Sequence, residues 1–164
     1  MGFSGKKNTE RGRVFLASDH AGFALKEKIK SFLQGEEVDN NMFSVEDLTP
    51  RIVEGDDYPD VAFAGGKRVA KTKDSRGVFI CGTGEGMCIS ANKVKGVRAC
   101  LGYDEKSARL SREHNDSNVL CLGGRVLKPK EAVSIVKVWL SSRFLGERHK
   151  RRVDKISSYE KFRI

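Results

Sequence analysis

The sequence predicts an α/β protein in which helices cover both faces of a five-stranded parallel sheet. Two observations indicate this fold. Short apolar segments alternate with segments of helical periodicity, which is the pattern of repeated strand–helix units. Four of the five strand candidates are continuously apolar rather than alternating, as expected for strands that are buried on both faces. A chain of 164 residues is long enough for one such domain and too short for two of ordinary size.

Five short runs of residues predict the strands. The second run is the weakest, and it lies within the polar, irregular stretch 36–57, which we expect to form a surface loop around it. In chain order, the predicted strands cover residues 14–18, 44–48, 77–81, 97–101 and 118–122.

The segments between the strands have helical spacing. Leu25, Ile29 and Phe32 recur at intervals of four and three residues, which places them on one face of a helix. After the fifth strand, Pro129 stands at the first turn of a long amphipathic helix. The predicted helices cover residues 25–32, 61–71, 87–94, 105–113, 129–140 and about 147–159.

Composition restricts the class of protein. The sequence contains no run of eighteen apolar residues, so we expect no membrane-spanning segment and no membrane partner. The first thirteen residues lack the apolar stretch of a signal peptide, and we expect a cytoplasmic protein. The four cysteines form no CxxC pair, which favours free thiols in a reducing compartment over disulfides or a zinc site.

The net charge of +9 is concentrated at the two ends of the chain. Residues 1–13 carry +3 and residues 143–164 carry +5, which leaves about +1 for the interior. A basic C-terminal tail can bind a polyanion such as a nucleic acid, or it can fold over a site and hold one small anion. A solvated basic helix explains the same pattern, and charge alone leaves these alternatives open.

Polar residues follow four of the predicted strands. In an open parallel sheet, the loops after the carboxyl ends of the strands gather at one edge, where ligands bind. Asp19 and His20 follow the first strand, residues 81–86 the third, residues 103–104 the fourth, and residues 123–125 the fifth. An Asp in such a loop is also a common helix cap, but four polar loops at one edge predict a site.

The loop formed by residues 81–86, with the sequence CGTGEG, is the strongest local signal. Its alternating glycines let the backbone approach a ligand and direct N–H groups toward negative charge at the start of a helix. A tight turn without a ligand is one alternative. A dinucleotide site is another, because Asp104 lies about twenty residues further on. Against it, Met87 occupies the third small position of that motif, and the loop follows the third strand rather than the first.

Cys81 ends the third predicted strand beside these N–H groups. That position favours the thiolate, so Cys81 is a candidate base or nucleophile. An inert, buried thiol is the alternative, and it suits the other three cysteines better.

Two groups near the C-terminal half also stand out. The connection 112–118 carries more polar side chains than a helix end needs, and capping leaves His114 unexplained. Arg148 and Arg152 are one helical turn apart and can clamp a phosphate between them. For these arginines, a solvated basic helix accounts more simply for the spacing alone.

Together these segments resemble ribose-5-phosphate isomerase B and its relatives, which include the galactose-6-phosphate isomerase subunits. The likeness covers the chain apart from the first dozen residues and the loop around 35–55, and HNDSNVL with CGTG upstream is a specific combination. The matching segments are ASDHAGFALK at 17–26, DYPD at 57–60, ICGTGEGMCISANKVKGVRA at 80–99, SARLSREHNDSNVLCLGGRV at 107–126 and GERHKRRV at 146–153.

The resemblance implies a Rossmann-like three-layer α/β/α sandwich that forms a homodimer or tetramer with active sites shared between protomers. It implies aldose–ketose isomerisation of a sugar phosphate through an enediolate. Ribose 5-phosphate to ribulose 5-phosphate, in the non-oxidative pentose phosphate pathway, is the expected reaction, and allose and galactose 6-phosphate are the alternative substrates. We expect no cofactor, no metal and no nucleic-acid partner.

We expect three regions along the chain. We expect residues 1–12 to form a disordered N-terminal extension and residues 13–145 to form the isomerase domain. Residues 146–164 are expected to form a basic helix that packs on the domain or on the partner protomer.

The resemblance also implies the roles of single residues. Cys81 would be the base that moves the C2 proton to C1, and Thr83 would assist proton transfer between the two oxygens. His114 would open the sugar ring, with Asp19 at the ring oxygen or hydroxyl. The implied binding residues are His20, Arg125, Arg148 and Arg152 for the phosphate, Tyr58 and Asn115 for the sugar, and the backbone N–H groups of Gly82, Gly84, Glu85 and Gly86 for the enediolate.

One departure from part of the family concerns the base. A branch of the family lacks the cysteine and uses a glutamate at the position of Met87, so this chain resembles the thiolate branch. Glu85 is the second choice of base. A nucleotide-dependent oxidoreductase and a polyanion-binding module remain the alternatives from other classes.

Overall fold

The computed structural model describes residues 12–35 and 43–162. These residues form a sheet of five parallel strands in the order β2-β1-β3-β5-β4, with helices on both faces, which confirms the predicted fold. The strands are β1 Gly12–Ser18, β2 Phe43–Asp47, β3 Ser75–Cys81, β4 Ala99–Leu101 and β5 Val119–Gly123. The helices are α1 Phe23–Gln34, α2 Tyr58–Lys71, α3 Glu85–Ala91, α4 Glu105–Asn115, α5 Pro129–Ser141 and α6 Glu147–Lys161.

Two elements begin or end two or more residues inside their predicted ranges. β4 begins at Ala99 rather than at residue 97, because the N–H of Arg98 donates to the side chain of Asn118 at 2.7 Å instead of joining the sheet. α3 ends at Ala91 rather than at residue 94, because the following N–H groups bond three residues back and tighten the chain into turns.

The sheet has a separate apolar core on each face, because successive side chains of a strand point to opposite sides. α1, α4 and α5 pack against one face, and α2 and α3 pack against the other. Trp139 of α5 is fully buried, and its indole N–H donates to the hydroxyl of Ser117 at 2.9 Å. The largest core side chain therefore leaves no polar atom unpaired.

The neighbouring strands β1 and β3 lead to helices on opposite faces of the sheet. β1 continues into α1 on one face, and β3 continues into α3 on the other. The chain diverges between these strands and leaves a crevice beyond their carboxyl ends, where ligands bind in open α/β sheets. Asp19 follows β1 and Cys81 ends β3, so both residues border this crevice.

A buried ion pair holds the loop after β2 against β1. Lys26 of α1 is fully buried, and its Nζ donates to Asp47 Oδ2 and to the carbonyl oxygen of Thr49, each at 2.7 Å. The Thr49 hydroxyl accepts the N–H of Ser18 at 2.9 Å. Burial opposes ionisation of Asp47, but the hydrogen bonds that it accepts outweigh burial and lower its pKa. The network fixes the end of β1 immediately before Asp19.

The regions predicted at the two ends of the chain are described to different extents. Residues 1–11 of the predicted disordered extension lie outside the described residues, and Gly12 already belongs to β1. At the other end, the segment before α6 is attached to α4, because the N–H of Leu145 donates to the carbonyl oxygen of Glu113 at 3.0 Å. None of the helices described is long and apolar enough to cross a membrane.

Candidate active site

Three loops interlock at the carboxyl edge of the sheet. After β5, the N–H of Gly124 donates to the carbonyl oxygen of Cys81 at 2.8 Å. After β1, Gly22 lies so close to β3 that a Cβ there would be 2.3 Å from the carbonyl oxygen of Ile80. No side chain fits between those two backbones, so glycine is required at this position. The loops after β1, β3 and β5 therefore form one continuous rim.

Cys81 lies at the centre of this rim. Its side chain is almost fully buried, with the residue 4% exposed, and its sulfur accepts the N–H of Gly84 at 3.2 Å. Gly84 has a φ of +86°, and a Cβ there would lie 2.7 Å from the side chain of Leu101. Only glycine allows this close turn, which holds the sulfur against the loop and places a donor beside it.

The loop after Cys81 presents further N–H donors where α3 begins. The first N–H groups of a helix have no acceptor within it, and Gly86 and Met87 occupy such positions in α3. The N–H of Glu85 is directed to the hydroxyl of Thr83 at 3.4 Å, and both of these side chains are exposed. Met87 is fully buried, so its side chain belongs to the core and not to the surface that the loop presents.

Tyr58 and Arg125 lie against the glycines of this loop. The Tyr58 ring, at the start of α2, is so close to Gly86 that an added Cβ would be 2.5 Å from it. The guanidinium of Arg125 lies near Gly82, where an added Cβ would be 3.5 Å from Nη1. The structure thus places two predicted binding residues against the loop that follows Cys81. They are the aromatic ring predicted to bind the sugar and the cation predicted to bind the phosphate.

Asp19 and His20 form the loop after β1. The buried carboxylate of Asp19 accepts the N–H of Gly22 at 2.9 Å. Burial raises the pKa of Asp19, although the bond from Gly22 opposes the increase. His20 is partly exposed, and its Nδ1 lies 2.8 Å from Oδ1 of Asp56. This hydrogen bond raises the pKa of His20. Asp56 lies in the stretch predicted as a surface loop, and sequence reasoning missed it.

A second group of the predicted residues lies on α4 and α6. The rings of His114 and His149 are stacked, with centroids 4.1 Å apart and planes 7° apart. His149 is buried, and burial, His114 and the neighbouring arginines lower its pKa, which favours the neutral form of this ring. Arg148 and Arg152 are exposed on α6, and Asn115 is exposed at the end of α4. His149 was not among the predicted site residues.

The two groups lie at opposite edges of the sheet. α4 runs from the carboxyl end of β4 back to the start of β5, so His114 lies at the amino edge, whereas Cys81 lies at the carboxyl edge. The five residues of β5 span about 16 Å, at roughly 3.3 Å per residue. A cavity of about 600 Å³ lies between α6 and β4. Asn115 is one of its lining residues, and Cys81 is not. One chain therefore does not bring His114, Arg148 or Arg152 to the sulfur.

The cysteines differ in their surroundings, and all four are free thiols. Burial raises the pKa of Cys121 well above its ordinary value and also raises that of Cys100. A hydrogen bond with Cys121 lowers the pKa of Cys88. In residues 12–35 and 43–162, no three His, Cys, Asp or Glu side chains are grouped so that they could hold a metal ion.

Comparison with known proteins identifies relatives over nearly the whole chain. The family model described as Ribose/Galactose Isomerase matches residues 14–156. Ribose-5-phosphate isomerase B of Escherichia coli is 40% identical over 92% of this chain and 98% of its own length. D-erythrulose-4-phosphate isomerase of Pectobacterium atrosepticum is 37% identical over 90% of this chain and 94% of its own. The crystal structure of ribose-5-phosphate isomerase B from Mycoplasma genitalium with bound ribulose-5-phosphate superposes with a TM-score of 0.84, at 45% identity, covering 92% of this chain and 97% of that one.

Proposed function

This chain belongs to the ribose/galactose isomerase family, and on that premise we propose that it converts ribose 5-phosphate to ribulose 5-phosphate with Cys81 as the base. Its relatives over nearly the full length are sugar phosphate isomerases, so the chain is an enzyme that interconverts aldose and ketose phosphates. The observation that carries the choice of base is the position of Cys81 at the crevice, with the N–H of Gly84 directed at its sulfur.

Proton transfer between C2 and C1 is the central step of the proposed reaction. The Cys81 thiolate removes the proton from C2 of the open-chain aldose, and the electrons of that C–H bond form the C1–C2 double bond of the enediolate. Negative charge moves to the C1 oxygen. The thiol then returns its proton to C1, and the proton on the C2 oxygen moves to the C1 oxygen, which gives the ketose. Thr83, whose hydroxyl is exposed in the same loop, assists this oxygen-to-oxygen transfer.

The enediolate needs donors that are already in place when charge develops. The N–H groups of Gly86 and Met87 at the first turn of α3 meet this need, because they have no acceptor within the helix. The remaining backbone N–H groups of the 82–86 loop lie beside them. Tyr58 borders the sugar, and His20 and Arg125 bind the phosphate from the same edge of the sheet.

Ring opening requires a proton exchange at the ring oxygen and the C1 hydroxyl. Asp19 suits this role because burial raises its pKa, which brings the carboxyl group closer to a range in which it can exchange a proton. His114 is the second group that we propose for this step. Its distance from Cys81 within one chain means that His114 of the partner subunit would serve each site.

A homodimer with shared sites follows from that separation. His114, Asn115, Arg148 and Arg152 form a ready group at the amino edge, and a second copy can bring this group to the Cys81 crevice. Large apolar side chains that one copy leaves exposed support an interface between copies, and they include Ile89 on α3, Tyr103 before α4, and Ile156 and Tyr159 on α6. A tetramer built from two such dimers is the larger alternative. The four free thiols suit the cytoplasm as the proposed location.

The identity of the sugar phosphate is the most specific part of the proposal. Ribulose 5-phosphate in the structure from Mycoplasma genitalium supports a five-carbon substrate. D-erythrulose 4-phosphate is the second candidate, because a relative with that activity in its name is 37% identical. Allose and galactose 6-phosphate complete the set of alternatives. Membership in an isomerase family weighs against the oxidoreductase and polyanion-binding alternatives.

A substrate panel tests the proposal. The purified protein is incubated with ribose 5-phosphate, allose 6-phosphate, galactose 6-phosphate and erythrulose 4-phosphate, and the ratio kcat/KM is measured for each by following the product sugar. We expect the highest value with ribose 5-phosphate. A higher value with one of the other three would reassign the substrate, and no turnover of any of them would contradict the proposed activity.

A further inference from the structure

His20 is held by a single carboxylate oxygen that comes from a distant part of the chain. Oδ1 of Asp56 accepts the backbone N–H of His20 at 2.8 Å and also lies 2.8 Å from the ring nitrogen Nδ1. Two bonds to one oxygen fix both the backbone and the ring of His20. Asp56 is 36 positions away in the sequence, in the irregular segment between β2 and α2.

We propose that Asp56 is the positioning residue of the phosphate subsite, which fixes the His20 ring and keeps a proton on Nδ1 so that Nε2 is presented to the anionic group of the substrate. The inference rests on the proposed function, because a sugar phosphate is the ligand that His20 would meet. It extends that function by assigning a role to a residue that does not itself bind substrate.

The geometry decides which ring nitrogen is available. An ionised carboxylate accepts hydrogen bonds and cannot donate one, so Nδ1 must be the donor to Asp56. Nε2, on the opposite side of the ring, is directed away from Asp56. If the ring holds one proton, Nε2 accepts; if it holds two, Nε2 donates and the ring is a cation. Only the second form makes a charge-assisted hydrogen bond to a phosphate.

The charges around His20 favour the doubly protonated form. The hydrogen bond to Asp56 is the largest cause of its raised pKa, burial opposes the increase, and the charges of Asp19, Asp56 and Glu54 add to it. Arg148 and Arg152 of the partner subunit would act in the opposite direction in the proposed dimer. A bound phosphate would again favour the cation, so substrate binding and protonation of His20 are coupled.

Asp56 acts on His20 in a way that its acidic neighbours do not. The carboxylate of Asp19 is buried and directed to the N–H of Gly22. The side chain of Glu54 is exposed, and it acts on His20 through charge alone. Asp56, with a side chain that is 19% exposed, combines charge with direct contact.

The test compares Asp56→Asn with a matched control, Glu54→Gln, in the full-length protein. Both changes remove one negative charge near His20. Asn at position 56 keeps an oxygen that accepts the two bonds, so the ring stays in place while the charge is lost. The chain contains three histidines, and proton NMR can follow the titration of each one, with a His20→Gln variant used to assign the signal.

We expect the titration midpoint of His20 to fall in Asp56→Asn and to change little in Glu54→Gln. In the same variant, KM for ribose 5-phosphate should rise about tenfold at pH 8, as expected for loss of a charge-assisted bond, with kcat nearly unchanged. As pH falls below the ordinary His pKa of 6.5, the KM of the variant should approach that of the wild type, because acid protonates the ring without the help of the Asp56 charge. Asp56→Glu, which restores the carboxylate, should recover most of the loss.

The two measurements separate this inference from the proposed function. The NMR titration needs no substrate, so it reports on the pair even if the enzyme does not act on ribose 5-phosphate. An unchanged His20 midpoint in a folded Asp56→Asn protein would overturn the inference. So would a lowered midpoint accompanied by a KM that is raised equally at every pH, because loss of structure alone would act in that way.

Discussion

Replacement of Cys81 by serine removes the proposed base while keeping the shape of the site. Serine differs from cysteine by one atom, and its hydroxyl can still accept the N–H of Gly84 that the sulfur accepts at 3.2 Å. An alcohol is far less acidic than a thiol, so it supplies almost no anion at neutral pH. We therefore expect the fold and the binding of substrate to persist while proton transfer fails.

The size of the effect follows from the role of the group. A positioned general base contributes about 10² to 10⁴ in rate, so kcat should fall by that factor in Cys81→Ser. This corresponds to about 3 to 5 kcal/mol in the barrier. KM should change little, because the groups that bind the phosphate and the sugar are elsewhere. The exchange of sulfur for oxygen changes the side-chain volume only a little, so the temperature of thermal unfolding should shift only slightly.

Two assays separate chemistry from binding. Turnover of ribose 5-phosphate gives kcat and KM, and exchange of the C2 hydrogen with solvent in D₂O reports directly on proton abstraction. Glu85→Gln is the matched control, because Glu85 lies in the same loop, is exposed, and is the second choice of base. If Cys81→Ser retains more than about a tenth of kcat while Glu85→Gln loses activity and exchange, the base has been assigned to the wrong residue.

Two other changes have predicted outcomes. Arg148→Ala and Arg152→Ala should each raise KM for the sugar phosphate about tenfold or more with a smaller effect on kcat, whereas Lys150→Ala, whose side chain is paired with Asp154 on the same helix, should leave both constants unchanged; equal effects in all three would argue against a phosphate clamp. Asp47→Asn should lower the free energy of unfolding in urea by about 2 kcal/mol at pH 7, because it removes one of the two carboxylates beside the buried ammonium of Lys26, the other being that of Glu27. Since the pKa of Asp47 is lowered in the folded state, its contribution is fully present above the ordinary value of 3.8 and is lost progressively as pH falls below it. The difference between the variant and the wild type should therefore shrink as pH falls below 3.8, and a constant difference would contradict the assignment.

Strands with a strong local pattern could be predicted closely from the sequence. β1, β3 and β5 are continuous apolar runs, and their observed ends lie within two residues of the predicted ones. The glycine loop after β3 was also predictable, because glycines at alternate positions indicate a backbone that turns sharply or approaches another group closely. The sequence did not indicate that β5 lies between β3 and β4, because periodicity carries no information on strand order.

Partners that are distant in sequence could not be predicted. Asp56 and His20 are 36 positions apart, and Lys26 and Asp47 are 21 apart, so no spacing rule connects either pair. Each pair forms only because β1 and β2 are neighbours in the sheet, which brings the loop after β1 and the start of α1 close to the end of β2 and the segment after it. His149 is different. It lies four residues before the buried Val153 on α6, and this helical spacing could have indicated that the histidine faces inward.

The separation of the predicted site residues between two edges of the sheet also has a physical origin. A helix that joins two parallel strands must return the chain to the opposite edge, so a residue near the end of α4 cannot lie beside a residue at the end of β3. The polar segment 112–118 is unusual in the sequence, but its place relative to the sheet follows only from the fold. In the proposed homodimer, a second copy would bring His114 to Cys81.

Mixing two inactive variants tests most directly whether the site is assembled from two subunits. Cys81→Ala and His114→Ala are each purified, combined in equal amounts, dissociated and reassociated, and assayed with ribose 5-phosphate. Half of the reassociated dimers would contain both variants, and each of these would hold one site with both Cys81 and His114, so activity should return to about a quarter of the wild-type value. If the mixture stays as inactive as its components although mixed dimers have formed, Cys81 and His114 do not act together across a subunit interface.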